Sequence, residues 1–216
     1  MLHYQNINDT LKNSLLQFMS AEVFKTFRLV GGTALSLQVG HRKSVDIDLF
    51  SDVDYGKIDF EEIEAYLNEN FAYVDHLSKF DPGMGKAYFV GSNSNDAIKL
   101  DVFYTDSFIQ PAYIEDTIRM ATIEEIIAMK LDIVQRGARK KDFWDLHELL
   151  DTYSIDQMLS LHEQRYPYGH DRDLIIVNFK NFSRADGDFD PVCLRGKYWE
   201  FIKEDIEEVI QKYRAT

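Results

Sequence analysis

The spacing of apolar and polar residues divides the chain into an N-terminal half that mixes strands with helices and a C-terminal half of helices. In the first half, apolar residues at helical spacing or a capping box predict three helices, over 6–20, 33–39 and 59–68. Alternation of apolar and polar residues at a period of two predicts strands. The predicted strands cover 27–30, 45–50, 72–80, 86–90 and 97–104, and the turn 81–85 joins two of them into a hairpin.

Beyond Pro111 the strand signals fade and helical spacing replaces them. Thr122 and Glu125 form a capping box at the start of the first helix of this half. The predicted helices cover 122–136, 139–153, 155–164, 172–179 and 197–213. We therefore predict an α+β fold, in which a mixed sheet flanked by helices is followed by a helical C-terminal half that begins between Thr105 and Ala121.

The predicted strand 45–50 carries two acidic residues. The alternation places Asp46 and Asp48 on one face and Val45, Ile47 and Leu49 on the other. Two carboxylates on one strand face, roughly 7 Å apart at Cα by strand rise, are able to share divalent metal ions. Asp46 and Asp48 are therefore the first candidate metal ligands.

A Gly-Gly turn precedes this strand. Gly31 and Gly32 would let the backbone approach a phosphate closely, and a helix that begins at Thr33 would direct its N–H groups towards it. His41 and Arg42, just before the acidic strand, are placed either to contact phosphates or to form a turn. A phosphate site beside a metal site indicates nucleotide chemistry.

A third acidic residue lies in the predicted strand 97–104. Lys99, Asp101 and Phe103 share one face of this strand, and the remaining face is apolar. A carboxylate that interrupts an apolar flank needs a partner or a metal ion, so Asp101 is the third candidate metal ligand. The alternative is a solvated strand face.

The helices of the C-terminal half place charged residues among apolar ones. Lys130 lies in the middle of the apolar face of the helix 122–136. A lysine in that position pairs with an acid or reaches into a cleft, where its ammonium group would bind nucleotide phosphates. In the next helix, Asp142 lies within the apolar sector and Asp145 at its edge, so Asp142 is the better site candidate. Either acid could instead hold Lys130 in a structural pair.

The net charge of the chain is −13, which repels nucleic acid unless basic residues are clustered. One compact basic cluster lies between two predicted helices and is either a polyanion contact or a solvated loop. It contains Arg136, Arg139, Lys140 and Lys141. The single cysteine, Cys193, excludes an internal disulfide framework. With no apparent signal peptide and no apolar run long enough to cross a membrane, we expect a cytoplasmic protein without membrane contact.

These motifs resemble those of the DNA polymerase β-like nucleotidyltransferase superfamily, in which a Gly-Gly or Gly-Ser turn is followed by Asp-x-Asp on a strand and by a third Asp on a later strand. The strings Gly-Gly-Thr-Ala-Leu and His-Arg-Lys-Ser-Val-Asp-Ile-Asp-Leu-Phe are similar to the AbiEii/AbiGii-type nucleotidyltransferases, toxins of type IV toxin–antitoxin systems. The segments 125–130, 136–137 and 141–146 are similar to the C-terminal motifs of that family.

The resemblance implies transfer of a nucleoside monophosphate from an NTP, with Mg²⁺ (or Mn²⁺), to an acceptor hydroxyl of RNA such as tRNA, and a cognate antitoxin encoded nearby. It implies a nucleotidyltransferase α+β core over 1–110 and a helical region over 111–216 that completes the active-site cleft. Asp46 and Asp48 would hold the metal, Asp101 would complete a second metal site and help activate the hydroxyl, and Asp142 would orient Lys130 or the acceptor. The implied nucleotide contacts are Gly31, Gly32, Thr33, Arg42, Ser44 and Lys130.

Two alternatives stay open. One is a transferase of the same fold that acts on a small molecule or a protein side chain, which an acidic surface favours because a small acceptor needs no basic track. The other is a catalytically silent nucleotide-binding protein.

Overall fold

The computed structural model describes residues 1–76 and 83–215, and these divide into two units. The first unit comprises Met1–Gln38 and Ser44–Thr122. The second comprises Val39–Lys43 and the chain from Ile123 to the end of the described residues. The predicted α+β class is confirmed, because the first unit contains a mixed sheet with helices and the second is helical.

The sheet of the first unit has seven strands within the described part of the chain. They are β1 (Arg28–Leu29), β2 (Asp46–Ser51), β3 (Tyr73–His76), β4 (Gly85–Asn93), β5 (Asp96–Tyr104), β6 (Tyr113–Glu115) and β7 (Ile118–Met120). Their order across the sheet is β3-β4-β5-β2-β1-β7-β6. The pairs β2–β5 and β1–β7 are parallel and the other neighbours are antiparallel. The two acidic strands, β2 and β5, are therefore direct neighbours near the middle of the sheet.

Three helices accompany the sheet in this unit: α1 (Asp9–Ser20), α2 (Gly31–Val39) and α3 (Phe60–Asn70). Asn8 caps α1 by accepting a hydrogen bond from the backbone N–H of Leu11. Asp59 caps α3 in the same way with Glu62, as the sequence predicts. The apolar stripe of α1 packs against β2, β5 and β7 and forms part of the core.

Short strands account for the main difference from the sequence prediction. The hairpin β6–β7 was not predicted, and it turns through Asp116 and Thr117, whose φ angles are positive at 50° and 69°. Strand β7 pairs with β1 through Leu29 and Met120, which lie far apart in sequence. Two short strands consequently lie within 111–122, and the first helix after the sheet begins at Ile123, close to the predicted start at Thr122.

The other sequence predictions for this sheet are confirmed with small changes. The hairpin of β3 and β4 is antiparallel as expected, and β4 continues to Asn93. Residues 77–80 of the predicted strand and Asp81 and Pro82 of the predicted turn lie outside the described residues. Val45 is not part of the acidic strand; it precedes β2 and its side chain is 65% exposed.

The second unit contains helices α4 (Ile123–Gln135), α5 (Lys140–Leu149), α6 (Ile155–Arg165), α7 (Arg172–Asn178) and α8 (Trp199–Ala215). All five agree with the predicted helices, with boundaries that differ by a few residues. Helix α4 packs against α5, α6 and α7, and α5 packs against α8. Within the described residues, no helix combines the length and the apolar character needed to cross a membrane.

A buried ion pair joins α4 to α6. The guanidinium of Arg165 donates a hydrogen bond to the carboxylate of Glu125, and both side chains are fully buried. Arg165 also donates through Nε to the hydroxyl of Tyr166 at 3.0 Å. Because burial removes both charged groups from water, the free-energy cost of losing hydration is offset by the attraction between them.

We expect Glu125→Ala to lower the free energy of unfolding by about 3–5 kcal/mol, because the buried guanidinium of Arg165 would lose its compensating charge. Urea denaturation followed by circular dichroism measures this loss. Glu163→Ala, at an exposed position of α6, the helix that carries Arg165, serves as the control and should change stability by less than about 0.5 kcal/mol. Equal stability losses in the two variants would show that the ion pair of Glu125 and Arg165 does not stabilise the fold.

Candidate active site

Strands β2 and β5 place the three predicted acids on one face of the sheet. In their parallel pairing Asp48 lies opposite Asp101, and Asp46 lies opposite Lys99. Neighbouring strands are about 4.8 Å apart, so opposite side chains on one face are in direct reach of each other. Ile47 and Leu49 point to the other face and are fully buried.

The Gly-Gly turn lies directly against the second acid of β2. Gly31 has a φ angle of +67°, and a Cβ atom at this position would lie 2.7 Å from Oδ2 of Asp48. The backbone N–H of Val30 donates to the carbonyl of Asp48 at 2.9 Å. Glycine is therefore required here by its backbone conformation and by the close approach of the Asp48 carboxylate.

Two hydroxyl groups tie the start of α2 to β2. Thr33 Oγ1 lies 2.7 Å from Ser44 Oγ and also donates to the carbonyl of Asp46. Thr33 and Ser44 are buried, so their side chains stabilise the backbone around the acids. Helix α2 begins at Gly31, two residues earlier than predicted, which places the backbone N–H groups of its first turn beside Asp48.

Asp101 has an ion-pair partner on its own strand. Lys99 Nζ lies 2.5 Å from Oδ2 of Asp101. The other carboxylate oxygen, Oδ1, is buried and has no hydrogen-bond partner among the described residues. Because buried polar atoms are normally paired, this oxygen is available to a ligand or a reacting group.

The acids of β2 suit a nucleotide-bound cation better than a metal cage made of protein ligands alone. Among the described residues, no three His, Cys, Asp or Glu side chains are grouped closely enough to hold a metal ion by themselves. Mg²⁺ is usually bound through one or two carboxylates together with substrate phosphates. Asp46 and Asp48, on one strand face beside the first turn of α2, match that requirement.

The second unit contains a buried cluster of charged residues around Lys130. Lys130 Nζ lies 2.6 Å from Oδ1 of Asp142 and 2.8 Å from Oδ2 of Asp145. Both carboxylates are fully buried. Asp142 also caps α5, because its Oδ2 accepts a hydrogen bond from the backbone N–H of Arg139 at 3.1 Å. The structural pairing of Lys130, which the sequence left open as the alternative to a phosphate contact, is thus present, with both acids taking part.

Asp145 makes more of these contacts than Asp142, the acid that sequence reasoning ranked first. Arg42 donates to both oxygens of Asp145, at 2.6 Å from Nε and 2.9 Å from Nη2. His41 Nε2 lies 2.7 Å from Oδ1 of the same carboxylate. His41 and Arg42 are therefore buried partners of Asp145 in the second unit. The available sequence signal was a basic pair before the acidic strand and two acids, one within and one at the edge of the apolar sector of a helix.

The contacts in this cluster favour the charged forms of Lys130, Asp142 and Asp145. Burial alone would raise the pKa of Asp145, but Lys130 and Arg42 outweigh it and hold the pKa of that carboxyl well below its usual range. Burial alone would likewise lower the pKa of Lys130, yet the two carboxylates outweigh it and raise that pKa. The pKa of Asp142 is lowered, since Lys130 and Arg139 offset the effect of burial.

The members of the predicted basic cluster differ in their surroundings. Lys140 is buried and its Nζ lies 2.9 Å from Oδ1 of Asp190, while Arg136 pairs with Asp132. Arg139, whose Nε lies 3.6 Å from Oδ2 of Asp142, and Lys141 line a cavity of about 260 Å³ in the second unit. The lining residues are Arg139, Lys141, Asp188, Phe189 and Pro191. Sequence reasoning missed Phe189, whose side chain is 98% exposed.

A family model described as "Nucleotidyl transferase AbiEii toxin, Type IV TA system" matches residues 14–214. The match covers both units, including the Gly-Gly turn and the acidic strands of the first and the helices of the second. No curated protein matches the sequence.

Solved structures show the same fold. A proposed nucleotidyltransferase from H. pylori is 20% identical, with a TM-score of 0.56 over 95% of this chain and 94% of that one. MenT4, a nucleotidyltransferase toxin from Mycobacterium tuberculosis, is 17% identical, with a TM-score of 0.57 over 94% and 82%. An antigenic nucleotidyltransferase-like protein from Paracoccidioides brasiliensis is 15% identical, with a TM-score of 0.52 over 94% and 93%.

We expect Asp145→Asn to lower the free energy of unfolding at pH 7 by about 3–5 kcal/mol, because Arg42 and Lys130 would lose their shared carboxylate. Because the pKa of Asp145 is depressed in the folded state, its contribution is complete above the unfolded pKa of about 3.9 and is lost as the pH falls through the folded value. The difference in unfolding free energy between the wild type and Asp145→Asn should therefore become smaller only below about pH 4.

Urea denaturation of both proteins between pH 7 and pH 3 measures this difference. Asp205→Asn removes an exposed acid that pairs with His147 in the same unit, and it should cost no more than about 1 kcal/mol at pH 7. A difference that stays constant down to pH 3 would show that the charge of Asp145 does not stabilise the fold.

Proposed function

Because this chain belongs to the AbiEii nucleotidyl transferase toxin family and is an NTP-dependent nucleotidyltransferase, we propose that it transfers a nucleoside monophosphate to a hydroxyl group of RNA. The observation that supports this most strongly is the position of Asp46 and Asp48 on one strand face, with Asp48 against the Gly31 turn. In the proposed reaction the acceptor oxygen bonds to the α-phosphorus of the NTP. The bond to the β-phosphate oxygen breaks, and pyrophosphate leaves.

Each residue of the first unit has a part in this proposal. Asp46 and Asp48 hold Mg²⁺ or Mn²⁺, which when bound neutralises charge on the phosphate oxygens. Gly31, Gly32 and Thr33 form the first turn of α2, and their backbone N–H groups bind the phosphates.

Asp101 is the proposed acceptor of the hydroxyl proton. Its Oδ1 has no hydrogen-bond partner among the described residues, while its Oδ2 is held by Lys99. A carboxylate with one oxygen fixed and the other available is oriented to receive a proton from an attacking hydroxyl group.

The second unit contributes a buried ion-pair cluster to the proposal. Lys130 neutralises the carboxylates of Asp142 and Asp145 within that unit, at 2.6 and 2.8 Å. Asp142 orients Lys130, which is supported by their 2.6 Å contact. The other expected nucleotide contacts, Arg42 and Ser44, have side-chain partners within the protein: Arg42 binds Asp145 and Ser44 bonds to Thr33.

The cavity beside Phe189 supports a single-stranded RNA end, such as that of tRNA, as the acceptor. Unpaired bases stack on exposed aromatic side chains, and their phosphates bind arginine and lysine. Phe189, Arg139 and Lys141 line one cavity of about 260 Å³ and supply both contacts. A small-molecule or protein acceptor is the second candidate, because the net charge of −13 disfavours a long RNA track.

The biological setting of the proposal follows from the family. The model that matches the chain describes toxins of type IV toxin–antitoxin systems. We therefore include a cognate antitoxin, encoded nearby, as the partner that limits the activity.

We expect Asp46→Ala and Asp48→Ala each to abolish nucleotide transfer and to leave the fold intact, because either change removes a carboxylate that holds the nucleotide-bound cation. The measurement incubates the protein and Mg²⁺ with each α-³²P-labelled NTP and total tRNA, followed by gel separation of the RNA. Melting curves of the variants confirm that they are folded.

Asp54→Ala, an exposed acid just beyond β2, is the matched control and should keep the wild-type rate. Label on RNA with either active-site variant at the wild-type rate would overturn the assignment of the acids. Label on small molecules or protein, but not on RNA, would favour the second acceptor class.

We expect Phe189→Ala to raise the KM for the RNA acceptor about 5- to 150-fold, corresponding to the loss of one stacked base at about 1–3 kcal/mol, with kcat little changed. Steady-state kinetics with varied tRNA measures this effect. Phe189→Trp should retain stacking, and Tyr168→Ala removes an equally exposed aromatic side chain outside the cavity as the control. An unchanged KM in Phe189→Ala would exclude stacking at this position.

A further inference from the structure

Strand β5 places a lysine among the candidate metal ligands. Lys99 lies opposite Asp46 in the β2–β5 pairing and on the same face as Asp101, two residues later in the strand. Its Nζ is 2.5 Å from Oδ2 of Asp101. The ammonium group of Lys99 is therefore paired with one of the three acids on this face of the sheet, and the backbone of Lys99 lies opposite a second, Asp46.

The contact between Lys99 and Asp101 is important because Asp101, beside the metal-binding pair Asp46 and Asp48, needs a positive charge near its carboxylate. A partly buried carboxylate is stable when paired with an opposite charge or a metal ion. Asp101 is only 17% exposed, and the ammonium of Lys99 already meets that need. A lysine ammonium is a compact point charge, so it can occupy the position next to a carboxylate that a cation would otherwise take.

We propose that Lys99 takes the place of a second divalent cation, so that this protein binds one divalent ion per NTP, through Asp46 and Asp48. The inference rests on the proposed function. Lys99 is then a positioning residue, which holds Oδ2 of Asp101 and directs the unpaired Oδ1 towards the acceptor hydroxyl.

The arrangement of the acids agrees with a single ion. Two ions about 4 Å apart are held by carboxylates that they share, which favours a group of at least three metal-ligating side chains. The described residues include no such group. An ion pair that served stability alone would contribute about 0–1 kcal/mol at such partly exposed positions, and its removal would not change the number of ions bound. Counting the ions therefore separates the two roles.

The test counts bound Mn²⁺ by electron paramagnetic resonance. The protein is saturated with each of the four α,β-methylene NTP analogues in turn, which cannot release pyrophosphate, and Mn²⁺ is titrated. We expect one bound Mn²⁺ per complex in the wild type and two in Lys99→Met, in which the second ion takes the position of the ammonium. Two ions about 4 Å apart would also show spin coupling.

Three further variants complete the experiment. Lys99→Arg keeps the positive charge and should bind one ion, and Lys99→Met combined with Asp101→Asn should return to one. Lys86→Met is the matched control, because Lys86 pairs with Glu64 at 2.6 Å on the neighbouring strand β4. Lys86→Met should leave the number of bound Mn²⁺ ions at one per complex. Lys99→Gln replaces Lys99→Met if the latter does not fold by circular dichroism.

The outcomes distinguish this inference from the proposed function. Two ions in the wild type, or one ion in the folded variant that lacks the Lys99 charge, would overturn the role of Lys99 and leave the transferase proposal in place. No saturable Mn²⁺ in the wild type with any analogue would overturn both.

Discussion

The parallel register of β2 and β5 determines where every group of the first unit's candidate site lies. Asp48 faces Asp101 and Asp46 faces Lys99 only in this register, because a shift by one residue would turn every side chain of one strand to the opposite face. The register is specified by the buried face, where Ile47 and Leu49 have no exposed surface. Burial of apolar residues on one side of the sheet thus sets the spacing of the charges on the other.

A second constraint acts on the backbone around the acids. Gly31 permits the close approach of Asp48, and Thr33 bonds both to Ser44 and to the carbonyl of Asp46. Residues that the motif assigns to phosphate binding are therefore also needed to hold the acids. A substitution at Gly31 would change the position of a carboxylate before any nucleotide binds, so its effect on activity would not by itself show a phosphate contact.

Structural features that depend on neighbouring residues, such as the face of a strand, could be predicted from the sequence. Contacts between segments far apart in the sequence could not. A period of two placed Asp46, Asp48 and Asp101 on their strand faces correctly. The partnership of Arg42 with Asp145 joins residues 103 positions apart, and no local pattern encodes it. The hairpin β6–β7 was missed because three-residue strands are too short to show alternation, and its place in the sheet depends on a pairing with β1.

The net charge of −13 describes the chain as a whole, whereas an acceptor meets local charges. Asp188 accepts from the backbone N–H of Lys140, and Asp190 pairs with the Lys140 ammonium. The lining of the cavity thus combines one acid, Asp188, with two basic residues, Arg139 and Lys141.

Two cations at one cavity give only a shallow dependence of RNA affinity on salt, about −1.4 for the slope of log K against log salt on a single strand. Stacking on one aromatic ring contributes about 1–3 kcal/mol and does not depend on net charge in this way. An acidic protein with one exposed phenylalanine beside two cations is therefore better matched to a short unpaired RNA end than to a long duplex, whose phosphates the rest of its surface would repel.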